Sequence, residues 1–239
     1  MYHIFSGKKI VLVALTILTL VSGDAFGQFR SKDNRNFMDF QDKNYYFGMA
    51  FGTNFSNFNV GQSKHFIGND SILIAEGKQK GGFNLHMIMN LKMGEYFDFR
   101  FLPGFAFSYR SFIFNELDRL RENKIESVFF ETPFSIRYKS VPYKDKRFFA
   151  LAGLKYSYDL SSNSKTRQAA SLINISPHDF QWEVGLGIQI FYPFFIFSPE
   201  IKFSRGLNNI LIYNDRINQS KVLQNVTSEV FTITFNFEG

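Results

Sequence analysis

A two-residue alternation of apolar with small or polar residues recurs along most of this chain. It is clearest in the stretch YYFGMAFGTNFSNF, residues 45–58, where Phe47 and Phe51 belong to one set and Gly48 and Asn54 to the other. Side chains of a strand point alternately to opposite faces, whereas a helix repeats every 3.6 residues. The stretch therefore predicts a strand with one apolar face, which must meet either a protein core or lipid.

Seven further segments alternate in the same way, which predicts eight strands in all. The strands occupy residues 45–58, 82–93, 97–110, 125–139, 148–159, 180–190, 197–204 and 230–237. Their connections are alternately long (58–81, 111–124, 160–177 and 206–225) and short (94–95, 140–146 and 193). In a meander, long and short connections then fall on opposite rims, as in outer-membrane barrels.

We therefore predict an all-β fold: an eight-stranded antiparallel up-and-down transmembrane barrel of the outer membrane, spanning residues 45–239. The chain has 32 Phe residues but a mean hydropathy of only −0.14, which fits alternation better than a continuous apolar core. A soluble, lipocalin-like barrel is the alternative fold, and it would reverse the two faces. Lipid should instead receive the outer set, which includes Phe47, Phe51, Phe101, Phe105, Trp182 and Phe235.

The N-terminal region has the layout of a secretory signal peptide. Lys8 and Lys9 precede the apolar run 10–21, and Ala25 and Gly27 are the small residues expected before a cleavage site. We predict a signal peptide over residues 1–27, cleaved before Gln28, and a flexible periplasmic lead-in over residues 28–44. The mature protein would then lie in the outer membrane as a multi-pass barrel.

The inner set of the strands carries charges of both signs. The interior of an eight-stranded barrel is just wide enough to be filled by side chains, so mutual pairing is the first interpretation and a permeation path the alternative. We expect Glu131 and Lys155 to face each other, because each lies twelve residues from Tyr143, and Glu183 to join them. The predicted lumen charge network, with a structural role, comprises Asp98, Arg100, Glu131, Arg137, Lys155, Glu183, Glu200 and Lys202.

Several classes of function lack support in the sequence. The formal net charge of +6 is scattered, with no basic helix or zinc spacing, so we expect no nucleic-acid partner. There is no cysteine, and we predict no catalytic residue, cofactor, metal or small-molecule substrate. A lipid-modifying enzyme with a Ser and His pair near the outer rim is the third hypothesis for function, with His65, His86 and His178 available.

Four segments together resemble the PorT family of outer-membrane proteins from the type IX secretion system of the Bacteroidetes. They are FDFRFLPGFAFSYR (97–110), ETPFSIRYKS (131–140), AGLKYSYDL (152–160) and SPEIKFSRGLNN (198–209). The resemblance implies a role in the export of folded proteins across the outer membrane, alongside other secretion-system proteins, and it supplies no catalytic residues. The leading hypothesis is a non-enzymatic secretion component that anchors or contacts partners. A general barrel for adhesion or envelope integrity is the main alternative.

Overall fold

The structure is a computed structural model that describes residues 34–63, 72–116, 119–161, 174–213 and 223–239. These residues form one short helix and a set of strands, and no helix among them is long and apolar enough to span a membrane. The elements are α1 (Arg35–Gln41), β1 (Tyr45–Gln62), β2 (Ile72–Lys92), β3 (Phe97–Phe101), β4 (Gly104–Glu116), β5 (Arg119–Lys139), β6 (Lys146–Asp159), β7 (Asn174–Ile175), β8 (His178–Phe191), β9 (Ile196–Gly206), β10 (Leu211–Ile212) and β11 (Leu223–Glu238).

The long strands close into a ring in which every neighbouring pair is antiparallel. Strand β1 pairs with β2 on one side and with β11 on the other, so that Ala50 is opposite both His86 and Asn236. The order around the ring is β1, β2, β3 with β4, β5, β6, β8, β9 and β11. Counting β3 and β4 as one interrupted strand, the described residues confirm the predicted eight-stranded barrel.

The interruption between β3 and β4 lies at Leu102 and Pro103. Proline has no N–H to donate to a neighbouring strand, but the Pro103 carbonyl still accepts a hydrogen bond from Met87 N at 2.9 Å. The register continues across the break, since Phe101 pairs with Met89 and Phe107 with Phe83. The predicted single strand over residues 97–110 is thus one strand in position, with a break at Leu102 and Pro103 that divides it into β3 and β4.

Alternate residues separate an exposed outer face from a buried inner face around the ring. In β1, Phe47 is 57% exposed, whereas the neighbouring Tyr46 is 4% exposed. Outward rings also pack across strands, as in the stacked pairs Phe83 with Phe107 and Phe101 with Phe134. All six residues predicted to face outward lie in the outward set, namely Phe47, Phe51, Phe101, Phe105, Trp182 and Phe235.

The long connections contain more strand than the sequence pattern indicates. Residues 111–124, predicted as a loop, belong mostly to β4 and β5, which end at Glu116 and resume at Arg119. Strands β7 and β10, within the connections 160–177 and 206–225, pair Leu211 with Ile175. The alternation of apolar and polar residues fades where a strand extends beyond the lipid bilayer, because neither face of the strand then needs apolar side chains.

The short connections lie at residues 93–96, 140–145 and 192–195, and we call this end of the barrel the short-turn rim. Helix α1 packs at this rim, with Phe40 buried against Phe191 and Ile196. Residues 35–41 are therefore helical, and the flexibility of the lead-in over residues 28–44 stays a prediction. The predicted signal peptide, residues 1–27, and residues 28–33 lie outside the described residues.

Candidate functional site

The inner face of the barrel holds buried charged side chains of both signs. All eight residues of the predicted lumen charge network lie there and are buried. Among the described residues, seven buried basic and seven buried acidic side chains occur: Arg100, Arg110, Arg137, Lys139, Arg147, Lys155 and Lys202, with Asp98, Glu131, Asp159, Asp179, Glu183, Glu200 and Glu238. These buried groups have no net formal charge. An unpaired charge would be costly in an interior of low dielectric constant.

Arg100 is the centre of one group of ion pairs inside the ring. It donates from Nη1 to Glu200 Oε2 at 3.0 Å and from Nη2 to Glu238 Oε1 at 2.9 Å. None of these three side chains is accessible to solvent. The Arg100 side chain thus joins β3 to β9 and β11, which are not its neighbours in the ring, and it crosses the lumen to do so.

Arg137 forms a second group nearer the short-turn rim. Its Nη2 lies 3.2 Å from Asp98 Oδ2 and 3.4 Å from Glu238 Oε2, and it donates to Tyr46 Oη at 2.6 Å. Lys139 forms an ion pair with the other oxygen of Asp98. Because Glu238 contacts both arginines, the two groups form one connected network, which we call the lower network.

Glu131 is the centre of a separate cluster closer to the long-loop end. It accepts from Lys155 Nζ at 3.1 Å and from Ser157 Oγ at 3.3 Å, and its other oxygen lies 3.2 Å from His86 Nε2. The expected contact between Glu131 and Lys155 is therefore present. We call these four residues the upper cluster.

The predicted direct opposition of Glu131 and Lys155 is wrong by two residues. Glu131 is opposite Ser157, and Lys155 is opposite Pro133. The hairpin turns at Lys144 and Asp145, both with positive φ, as in a two-residue type I′ turn. The pairing of β5 with β6 is centred on Lys144, one residue later than Tyr143, which moves every partner by two and leaves the inward face unchanged.

Lys202 lies on the inward face beside the lower network, whereas Glu183 lies on the inward face outside both groups. Lys202 Nζ is 3.4 Å from Glu200 Oε1, which connects it to the lower network. Glu183 is buried opposite Gly153, and its Oε1 has no hydrogen-bond partner among the described residues. The prediction that Glu183 joins Glu131 and Lys155 by direct contact is therefore not met.

The lower network contains two charged residues that the predicted list omits, Lys139 and Glu238, and Glu238 also lies beyond the last predicted strand. The predicted last strand ended at Phe237, whereas β11 continues through Glu238. The signal was available, because Glu238 continues the inward set of Thr232, Thr234 and Asn236. A charged residue at the end of a strand is easily assigned to the following coil.

The imidazole rings of His86 and His178 have partners other than serine, although the Ser176 hydroxyl bonds to the backbone of His178. His86 Nε2 contacts Glu131, and His178 Nδ1 is 2.7 Å from Tyr156 Oη on the outward face. The predicted candidate His65 lies outside the described residues. No group of three or more His, Cys, Asp or Glu residues in the described part of the chain could hold a metal ion. Chemically, the inner face provides paired charges that fill the lumen and connect distant strands.

Comparison with known proteins gives a family match. The model of the outer membrane protein β-barrel domain family matches residues 26–211, which is well over half of the chain. No curated protein matches the sequence.

Solved structures with a similar fold are outer-membrane proteins of low sequence identity. OprG from Pseudomonas aeruginosa is 10% identical with a TM-score of 0.46, and the match covers 82% of this chain and 95% of OprG. Neisserial surface protein A is 10% identical with a TM-score of 0.40 over 80% and 95% of the two chains. Ail of Yersinia pestis, in complex with the heparin analogue sucrose octasulfate, is 12% identical with a TM-score of 0.38 over 82% and 100%.

Proposed function

The chain belongs to the outer membrane protein β-barrel domain family, and from this premise we propose that it is a non-enzymatic component of type IX protein secretion, needed for the export of folded cargo. The protein lies in the outer membrane, and its apolar outer face meets lipid. Its proposed role is to anchor or contact other proteins of the secretion system.

The packed lumen is the observation on which this mode of action rests. The side chains of Arg100, Glu200 and Glu238 bridge the ring with no solvent access, and Arg137 adds a further crossing contact. An eight-stranded barrel has room inside for side chains or one small ligand, not for a folded protein. Cargo therefore passes elsewhere, and the barrel contributes through its surfaces.

The assignment to type IX secretion is supported by the resemblance of four strand segments to the PorT family. Those segments supply both Arg100 and Asp98 of the lower network, and both Glu131 and Lys155 of the upper cluster. The resemblance thus includes inward residues that define this lumen as well as the outward apolar set that many barrels share.

The partner surfaces in this proposal are the two rims. At the long-loop end, Leu207 and Ile212 are exposed apolar residues near the β7 and β10 ribbon, and Phe194 at the short-turn rim is 90% exposed. Exposed apolar side chains outside the lipid-facing wall are candidates for contact with another protein. Secretion-system proteins on either side of the membrane are the proposed occupants.

A deletion strain tests the proposed function. Cargo proteins should remain within the envelope, as measured by comparing cell and medium fractions, while uptake of small solutes stays normal. Normal cargo release, with altered lipid A or altered solute uptake instead, would overturn the proposal in favour of an enzyme or a channel. Normal release with a fragile envelope or lost adhesion would favour the general barrel.

Complementation of that strain distinguishes a mechanism based on contact with partner proteins from one based on conduction through the lumen. A rim variant that combines Leu207→Ser with Ile212→Ser, or Phe194→Ser alone, should reduce cargo release while the barrel still inserts. The matched lumen variant, Glu131→Gln with Lys155→Met, should release cargo normally. If the lumen variant blocks export and both rim variants restore it, the contact mechanism is wrong.

A further inference from the structure

Helix α1 depends on the barrel for its helical structure. It has seven residues, whereas isolated helices of fewer than about 12 residues are marginal in water. Its N-cap residue, Asn34, makes no side-chain cap bond within the helix. The groups that satisfy the two helix ends come instead from two hairpins of the short-turn rim.

The hairpin between β5 and β6 caps the first turn of α1. Phe37 N donates to Asp145 Oδ1 at 3.0 Å, and Asp145 N donates to Asn34 Oδ1 at 3.0 Å. Asn34 Nδ2 also donates to the Pro142 carbonyl at 3.4 Å. Asp145 therefore acts as the capping side chain of a helix more than a hundred residues away in sequence, and the bonding is reciprocal.

The end of β2 supplies the cap at the other end of α1. Lys92 Nζ donates to the carbonyl oxygens of Phe40 and Gln41, the last two residues of the helix. A cation at a helix C-terminus satisfies carbonyls that lack intrahelical partners and complements the helix dipole. Both ends of the helix are thus held by the rim.

The hairpin between β8 and β9 supplies the apolar contact. Phe40 is 4% exposed and packs on Phe191 and Ile196, while Phe37 meets the Phe191 ring edge-on at 5.1 Å. Asn36 Nδ2 donates to the Phe191 carbonyl at 3.1 Å. Together with the two caps, this contact joins α1 to all three hairpins of the short-turn rim.

We propose that α1 is a lid over the short-turn mouth, whose release opens the first layers of the lumen to the periplasm while the ring of strands stays closed. Phe191 and Ile196, which Phe40 covers, are paired inward residues. The next inward pair along the same two strands is Gln189 and Ser198, both buried. No strand pairing of the ring involves α1, so the lid can leave without breaking the ring.

A single introduced thiol reports on this mouth, because the chain contains no cysteine. Ser198→Cys changes one atom in a side chain that is fully buried one layer inside the lid. The probe is a small charged methanethiosulfonate, which does not dissolve in lipid, added to the folded, purified full-length protein in detergent. With α1 in place, the thiol should react slowly, because the lid shields it on one side and the lower network on the other.

Two substitutions on α1 provide the test and its matched control. Phe40→Asp removes the docking contact, whereas Met38→Asp makes the same change in charge on a side chain that is 55% exposed. Phe40→Asp should accelerate labelling by roughly tenfold or more, since each loss of about 1.4 kcal/mol in docking free energy raises the open population tenfold. Met38→Asp should leave the labelling rate unchanged.

Equal labelling rates in the two variants would overturn the proposal, as would fast labelling of Ser198→Cys alone. Heat-dependent electrophoretic migration verifies that each barrel is folded. If Phe40→Asp fails to fold, Asp145→Gly replaces it: glycine accepts the φ of 56° without strain and removes the trans cap. It should also accelerate labelling, and an unchanged rate in a folded Asp145→Gly protein contradicts the lid.

Discussion

Phe101 and Arg100 are neighbours in one strand, yet they lie in opposite environments. The Phe101 ring stacks on Phe134 with centroids 4.6 Å apart on the outer wall. Arg100 meets two carboxylates inside the ring, and all three groups are inaccessible to solvent. The same backbone thus supports a wall that needs only apolar side chains and a lumen in which each charge needs a particular partner. The two faces should therefore tolerate substitution very differently.

The largest effect is expected when one partner of the lower network is removed. Arg137→Met leaves Asp98 and Glu238 with fewer counter-charges, and breaking a buried pair in this way destabilises proteins by about 3–5 kcal/mol. Trp182 is the only tryptophan, so its fluorescence during urea unfolding in detergent reports the loss. Arg205→Met, at an exposed arginine, is the control and should change stability by less than about 1 kcal/mol. Equal losses would remove the distinction between the faces.

A charge introduced into the outer wall should have the next largest effect. Phe101→Arg at mid-height should destabilise the inserted barrel by about 2–4 kcal/mol, since arginine near the bilayer centre is unfavourable. Phe194→Arg, in a turn, should change the free energy of unfolding by less than about 0.5 kcal/mol, because Phe194 is exposed at the short-turn rim. Unfolding from lipid vesicles measures both. A harmless Phe101→Arg would mean that the outer face does not contact lipid.

The upper cluster offers a smaller and more specific test. Lys155→Met alone should cost about 1–3 kcal/mol, because Glu131 loses a charged hydrogen-bond donor. Adding Glu131→Gln should recover most of that loss, since two neutral groups need no counter-charge. A double-mutant cycle measures the coupling directly. If the two losses simply add, the 3.1 Å contact between Lys155 and Glu131 does not exist in the folded protein.

The smallest effect is expected for an apolar exchange on the wall. Phe51→Leu should change the free energy of unfolding by less than about 1 kcal/mol, because fluid lipid fills the space that the ring leaves. Ala50→Leu, one residue away, enlarges a fully buried inward side chain and should cost about 1–3 kcal/mol. The same unfolding assay compares the two. The reverse order would place Phe51 in a packed interior.

The faces, the strand number and the inward position of all eight predicted network residues could be predicted from the sequence. Each follows from the two-residue period of the strands. An error of an even number of residues in the pairing of two strands leaves every side chain on the same face. The partners could not be predicted in the same way. The register of β5 with β6 depends on a turn at Lys144 and Asp145. Both residues have a positive φ, but neither is a glycine or asparagine that would indicate such a turn in the sequence.

Two other sets of contacts were hidden for a similar reason. Helix α1 has only seven residues, and its stabilising groups, Lys92 and Asp145, come from distant parts of the chain. Glu238 pairs with arginines from β3 and β5, on the far side of the ring. Neither contact has a local sequence signal, because each is created only when the ring closes.

A spin-label scan along β6 tests the opposed faces most directly. Single cysteines are introduced at consecutive positions of the barrel in lipid, labelled with a nitroxide, and compared for collision with oxygen, which dissolves in the bilayer, and with a water-soluble nickel chelate. Oxygen accessibility should be high at Phe148, Ala150, Ala152 and Leu154, while both reagents should be excluded at Phe149, Leu151 and Lys155. Oxygen accessibility without a period of two, or nickel access along the second set, would contradict a lipid-facing wall around a packed lumen.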